Sequence, residues 1–387
     1  MPAVNARPAI EADARPAALP HELDVAVVGG GVLGLATTDA LVRRGADVVC
    51  FEARTPGQGQ SGGLTRTFRH RHDDERVVAL AIEARAGWRR WEQRCSRRLL
   101  GKEGAVYAGI GAADAAGLAR HDVPHRFVEP AEGRELFPVL AEPVGPLLLD
   151  PDAGALRARR TIEALTGWVK HALRSVEVHG VTVPPGGRGA EIQTADAIYR
   201  ARHVVICAGT ATPRLAAGVG IDVPVAHGLH ARPRFRVRDA LRGSSLPCWV
   251  DRSGAHGEWV YGSPVGSTGD YVVGLIGDGV DVALAGGTMV PPRTEMQEHV
   301  RRVAAYVGRA MPGLDANPVG VRVCVMSKLP AGSDTLGTWQ TEAVTVVAGH
   351  NLFKLAPVLG ELLADAASDG RLPEVLEHVG ERSLTFA

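Results

Sequence analysis

Four groups of residues in this 387-residue chain have types and spacing suited to chemistry. Gly29, Gly31 and Gly34 form a G-x-G-x-x-G, with Glu52 further on. In a dinucleotide site one glycine makes the tight turn, one admits a pyrophosphate to the backbone, and one lets helix pack on strand. The helix N-terminus then holds the phosphates, and an acid about 20 residues on accepts the ribose hydroxyls. A plain β-turn-α unit is the competing reading. Arg66 and Arg69 follow the Gly/Gln/Ser-rich stretch 57–63, either as a solvated basic loop or as two cations facing a flavin or an anionic substrate. Cys324 alternates with valines, as a simple buried thiol or a reactive one. Lys354 lies between Phe353 and Leu355 just before Pro357, which disfavours a merely solvated lysine.

The elements that must position these residues are readable from periodicity. Val25–Val28 is an apolar run fit for a strand buried on both faces, and Leu33, Thr37, Ala40 and Leu41 share one helical face behind it. Arg43 and Arg44 suit the end of that helix, Gly45 caps it, and Val48–Phe51 is the next strand, ending in Glu52. Arg202–Gly209 reads as a strand returning to the same sheet, with Gly209 leaving room for a cofactor and Cys207 as an inert core thiol. Leu80, Ala84, Gly87, Trp88, Trp91 and Cys95 share one helical face, so the tryptophans read as core. A helical pattern runs from Leu156 to Leu173, and a strand from Val176 to Val183. From Pro224 to Pro318 short alternating segments punctuated by Gly and Pro predict an antiparallel sheet, including Trp259–Tyr261 and Tyr271–Ile276, then a helix over Glu298–Met311. Near 321–326 the alternation turns Cys324 and Met326 to the face opposite the valines. Val344–Val347 is a strand, and Pro357 opens a helix through Leu359, Leu362, Leu363 and Ala366.

The fold class expected is α/β (α+β overall): a Rossmann-like nucleotide lobe and a second lobe on a mainly antiparallel sheet. The boundaries expected are 22–85, 155–223 and 319–387 for the first lobe, and 86–154 with 224–318 for the second. Residues 1–21 read as a disordered tail, being rich in Ala and Pro without an apolar signal-peptide core. With 43 basic and 43 acidic residues, nothing argues for nucleic acid or a membrane surface. No apolar run is long enough for a membrane span. Five scattered cysteines without a C-x-x-C fit neither a disulfide framework nor a zinc site, so no metal is expected and a reducing cytoplasm is.

These residues resemble the monomeric sarcosine oxidase family of flavin-dependent amine oxidases, within the D-amino acid oxidase superfamily. The resemblance spans about 24–370 and rests on the glycine loop with Glu52, on the segment 61–70, on 205–209, on Cys324, and on Phe353-Lys354-Leu355-Ala356-Pro357 with Gly360-Glu361. The Thr65-Arg66-x-x-Arg69 element with the late Cys and Phe-Lys is its most specific part. The resemblance implies FAD in the first lobe, contacted by Gly29, Gly31, Gly34, Glu52, Ser61, Thr65, Arg66, Gly209, Phe353 and Lys354, with a thioether from Cys324 to the ring. It implies that Arg69 and Lys354 clamp a substrate carboxylate, that Arg66 lies against the flavin, and that Tyr261 is an active-site tyrosine. The activity implied is oxidation of a secondary or cyclic amino acid, or a carboxylated amine, to an imine. Dioxygen would be the acceptor, and the enzyme a monomer or small homo-oligomer.

Departures from the family pattern set the substrate apart from sarcosine. The oxygen-activating lysine falls near Val272, its neighbouring histidine at Ile276 or Gly277, and a tyrosine at Met326. The turn before Lys354 is two residues shorter, which leaves His350 without a fixed counterpart; Lys328 or Arg66 is a candidate replacement cation. Asp278 is either an added substrate contact or part of an exposed turn. The altered pocket looks like antibiotic-pathway members that oxidise cyclic imino acids. Two rival functions are a flavin hydroxylase using NAD(P)H, whose usual G-D-A-x-H-type segment is absent, and a non-catalytic flavin-binding protein.

Overall fold

The computed structural model describes residues 18–141, 145–186, 188–241, 245–277, 279–282, 292–330, 335–376 and 384–385. The first lobe grows from the glycine unit. Strand β1 (Ala18–Val28) runs into helix α1 (Val32–Arg43), which returns through Gly45 to β2 (Val48–Glu52). Val25 and Val27 point to one core and Ala26 and Val28 to another, so β1 is buried on both faces as its composition predicts. The strand starts earlier than expected: Ala18 pairs with Ile198, so the tail does not reach residue 21, and residues 1–17 lie outside the described residues.

After a short strand β3 (Arg66–Phe68), the 21-residue helix α2 (Glu75–Cys95) buries Leu80, Ala84, Gly87, Trp88 and Trp91 against the first lobe's core. Asp74 caps its N-terminus by accepting from Arg76 N. The expected boundary at 85/86 therefore cuts an intact helix whose apolar face packs mostly in the first lobe's core, with Val78 packed in a second-lobe cluster. Strand β4 (Gly154–Leu156) pairs antiparallel with β3 and links the lobes. Strand β5 (Ile198–Ile206) lies parallel to β1, with β2 on the far side of β1.

The second lobe is a mainly antiparallel sheet. Its long strand β6 (Ala226–Arg236) pairs with β8 (Asp270–Leu275), which pairs with β7 (Val260–Val265). Helix α3 (Arg293–Ala310) covers one face through Val303, Tyr306 and Val307, packed on Phe235, Tyr271, Val273 and Leu275. Strand β9 (Gly320–Lys328) pairs with β6 over its whole length. A boundary at 319 assigns β9 to the nucleotide lobe; its hydrogen bonds put it in the second sheet. Long-range pairing decides this, and local sequence cannot register it. The chain then returns to the first sheet as β10 (Val344–Gly349), parallel to β5, and enters α4 (Ala356–Asp369), with Pro357 in its first turn. Among the described residues no helix is long and apolar enough to cross a membrane.

Candidate active site

The face of the second sheet opposite α3 is built by alternation. Val321 and Val323 point outward at 49% and 37% exposure, while Cys324 is half-buried and Met326 buried on the alternate positions, as expected. Across β6, His230 stands opposite Cys324 and Arg232 opposite Arg322. On β7, Tyr261 and Ser263 occupy the same face, opposite Gly274 and Val272 of β8. Val272 thus puts an apolar side chain on this face, close to where the resemblance implies a lysine.

Two guanidinium groups meet here. Arg66 donates to the carbonyl oxygens of Thr65 (2.8 Å), Gln60 (3.1 Å) and Gly62, and lies 5.9 Å from the Phe353 ring centre. Arg232, only 7% exposed, sits 5.5 Å over the Tyr261 ring. It donates to Thr65 O at 3.4 Å and hydrogen-bonds Tyr261 and Cys324, while its buried Nε has no partner. Neither arginine faces a carboxylate among the described residues. Part of the Arg66 residue stays accessible, yet burial of its guanidinium, reinforced by the charge of Arg232, pulls its pKa down to about 10. Burial also works against the Arg232 charge, but Tyr261 and Cys324 outweigh it and its pKa lies above the ordinary value. His230, between Tyr261 (6.3 Å) and His350 (5.8 Å), is held neutral: burial first, then His350 and Arg232, drive its pKa well below that of a free imidazole.

The remaining candidates are distributed around this cluster. Thr65 Oγ1 meets Ser263 Oγ at 3.4 Å, which ties the β3 approach to β7. Lys354 is buried in the turn Leu352–Leu355 directly before α4. Arg69 is buried one residue beyond β3, beside Arg71 and Tyr107. Lys328 pairs with Asp281 at 2.6 Å, four residues along β9 from Cys324, so its charge is engaged at the strand end. Asp278 lies outside the described residues.

The glycine unit fits a dinucleotide. Gly29 has φ +111°, and a Cβ on it would press on the Cys207 carbonyl; a Cβ on Gly34 would overlap the Gly29 carbonyl. Helix α1 starts at this turn, and Ser61 Oγ accepts from Val32 N at 2.9 Å. Glu52, at the end of β2, accepts from Gly30 N at 2.8 Å and Arg54 N at 2.9 Å, which fixes its carboxylate beside the loop. Gly209 has φ +60°, and a Cβ on it would meet Gln60 Oε1 at 3.1 Å. Burial raises the Cys207 thiol far above its ordinary pKa, in keeping with an inert core residue.

The sequence profile described as FAD dependent oxidoreductase matches residues 24–366, almost the whole of both lobes. The chain belongs to that family. Among curated members it is 27% identical to monomeric sarcosine oxidase of Streptomyces avermitilis, over 94% of this chain and 98% of that protein. It is 26% identical to N-methyl-L-tryptophan oxidase of Escherichia coli, over 89% and 95%. Among solved structures, NikD, an unusual amino acid oxidase essential for nikkomycin biosynthesis, superposes with a TM-score of 0.79, at 22% identity, over 95% of this chain and 99% of that one. That likeness establishes the shared two-lobe fold, so this chain is an FAD-dependent oxidoreductase in sequence family and architecture alike. His230 and Arg232 are the site residues the motifs do not mark. The period-two polar pattern His230, Arg232, Arg234 along β6 was their one available signal.

Proposed function

We propose that this flavoenzyme oxidises a secondary or cyclic amino acid, or a related carboxylated amine, to an imine, with FAD tethered through Cys324 and dioxygen as electron acceptor. The observation that carries the reading is the convergence of Arg66, Arg232, Tyr261 and Cys324, with no carboxylate of the described residues beside either arginine. Such a field attracts an anion and disfavours an ammonium, so it favours the neutral amine that oxidation requires. Bound FAD supplies the two-electron acceptor for the amine-bearing C–H. Arg69 and Lys354 grip the substrate carboxylate through charge-assisted hydrogen bonds, which orients the neighbouring carbon. Arg66 and the N-terminus of α4 lend positive potential to the side of the site where negative charge grows. Tyr261, packed beneath Arg232, bounds the pocket around the amine. The relatives named for sarcosine and N-methyl-L-tryptophan support an N-substituted amino acid as substrate.

Acid precipitation of the purified protein tests the tether: a yellow pellet is expected, and a white one from Cys324→Ser. Anaerobic bleaching by a panel of secondary and cyclic amino acids tests the reaction. A wild-type pellet without colour refutes the tether, and a flavin that no amine bleaches refutes the oxidation.

A further inference from the structure

We infer that Arg232 is a second anion-binding residue of this site, and that the substrate carries a second acidic group, as a dicarboxylic amino acid does. The inference rests on the proposed function and adds a substrate class to it. Arg66 is already engaged, donating to three backbone carbonyls. Arg69 and Lys354 are assigned to the first carboxylate. Arg232 has donor capacity left over, because its one backbone contact is long at 3.4 Å and its buried Nε has no partner among the described residues.

Burying a guanidinium costs several kcal/mol after relaxation. Stacking over Tyr261 offsets part of that cost, and the hydrogen bonds to Thr65 O, Tyr261 and Cys324 are to groups without formal charge in their ordinary states. A carboxylate answers what remains, since it can take two parallel N–H bonds from one guanidinium. Position agrees with chemistry. Arg232 touches Thr65, Tyr261 and Cys324, residues from three separate strands or their approaches, which puts it at the centre of the inward cluster.

The test uses the holoenzyme and unreactive acids of matched length: butyrate against succinate, and valerate against glutarate, followed by the shift in flavin absorbance. At least one diacid is expected to bind about tenfold or more tightly than its monoacid, the gain of one charged hydrogen-bonded contact. In Arg232→Met that advantage disappears, because diacid affinity falls by about tenfold more than monoacid affinity does. Arg232→Lys restores part of it. Absence of any diacid preference in the wild type overturns the inference, and that arm needs no variant to fold. So does a preference that survives in Arg232→Met, or an equal loss for both acids, which would make Arg232 part of the first clamp. Arg69→Ala and Lys354→Met separate the two readings. Weakened binding of monoacids and diacids alike supports the clamp, and unchanged monoacid binding refutes the clamp without bearing on Arg232.

Discussion

The indole Nε1 of Trp88 donates to the backbone carbonyl of Lys354 at 2.8 Å, which ties the middle of α2 to the turn that presents the lysine. The Trp88 ring also stacks on Phe353, with centroids 6.2 Å apart and planes within 8°. Trp88 is fully buried, so this bond is made in a dry interior. Trp88→Phe keeps most of the apolar contact and removes the donor. The expected result is a loss of about 1–3 kcal/mol in urea unfolding. Because the lysine turn loosens, affinity for a monocarboxylate probe should fall as well, with the flavin still bound.

Gly34 tests the nucleotide cradle. An added Cβ there collides with the Gly29 carbonyl, fixed by the β1–α1 turn, and touches Cys207 Sγ at 3.0 Å. Backbone has to move, and overpacking of that kind costs about 1–3 kcal/mol or more. Gly34→Ala should therefore yield protein depleted in FAD, read from the ratio of flavin to protein absorbance. Gly45→Ala is the comparison, since no atom lies within 4 Å of a Cβ there. It should keep its flavin and lose only the stability owed to its φ of +78°.

The parts of this protein legible in its sequence are those whose logic is local. The glycine turn, the α1 face and the valine alternation of β9 each declare themselves within a few residues. Arg232 does not. His230-Ala231-Arg232-Pro233-Arg234 reads as well for a wet edge strand as for a buried one, because the groups that enclose Arg232 come from Thr65, Tyr261 and Cys324, far away along the chain. The membership of β9 in the second sheet is hidden for the same reason: its partner β6 lies across helix α3 in sequence. Lys328 is a further case: the ion pair that engages its charge comes from Asp281, far away along the chain, and nothing around Lys328 in the sequence announces it.

Arg66 gives the site a dependence on alkaline pH. Its pKa of about 10, lowered by burial and by Arg232, means that its charge is present at neutral pH and lost above that value. Affinity for an anionic probe such as butyrate should therefore hold steady through neutral pH and fall as the pH rises through about 10. A bound anion favours the charged form, so the midpoint should move upward in the complex. In Arg66→Met the step should shrink, with weaker binding at every pH. An unchanged step in that variant would assign the titration to another group.

His203 makes a separate prediction at acid pH. Its Nε2 lies 2.8 Å from Thr345 Oγ1 between β5 and β10, and burial lowers its pKa from 6.5 to about 4. In the unfolded chain the imidazole protonates below about pH 6.5, and in the folded chain not until about 4. Over that window the unfolded state binds more protons, so stability is full above pH 6.5 and is lost as the pH falls. His203 alone should contribute a loss of about 3 kcal/mol by pH 4. His227 and His230 are shifted in the same direction, first by burial, and steepen the decline. Urea unfolding of His203→Gln should show lower stability than wild type at pH 7.5 and a shallower fall toward pH 4. Two curves that run parallel across the window would mean that His203 is not held neutral in the folded protein.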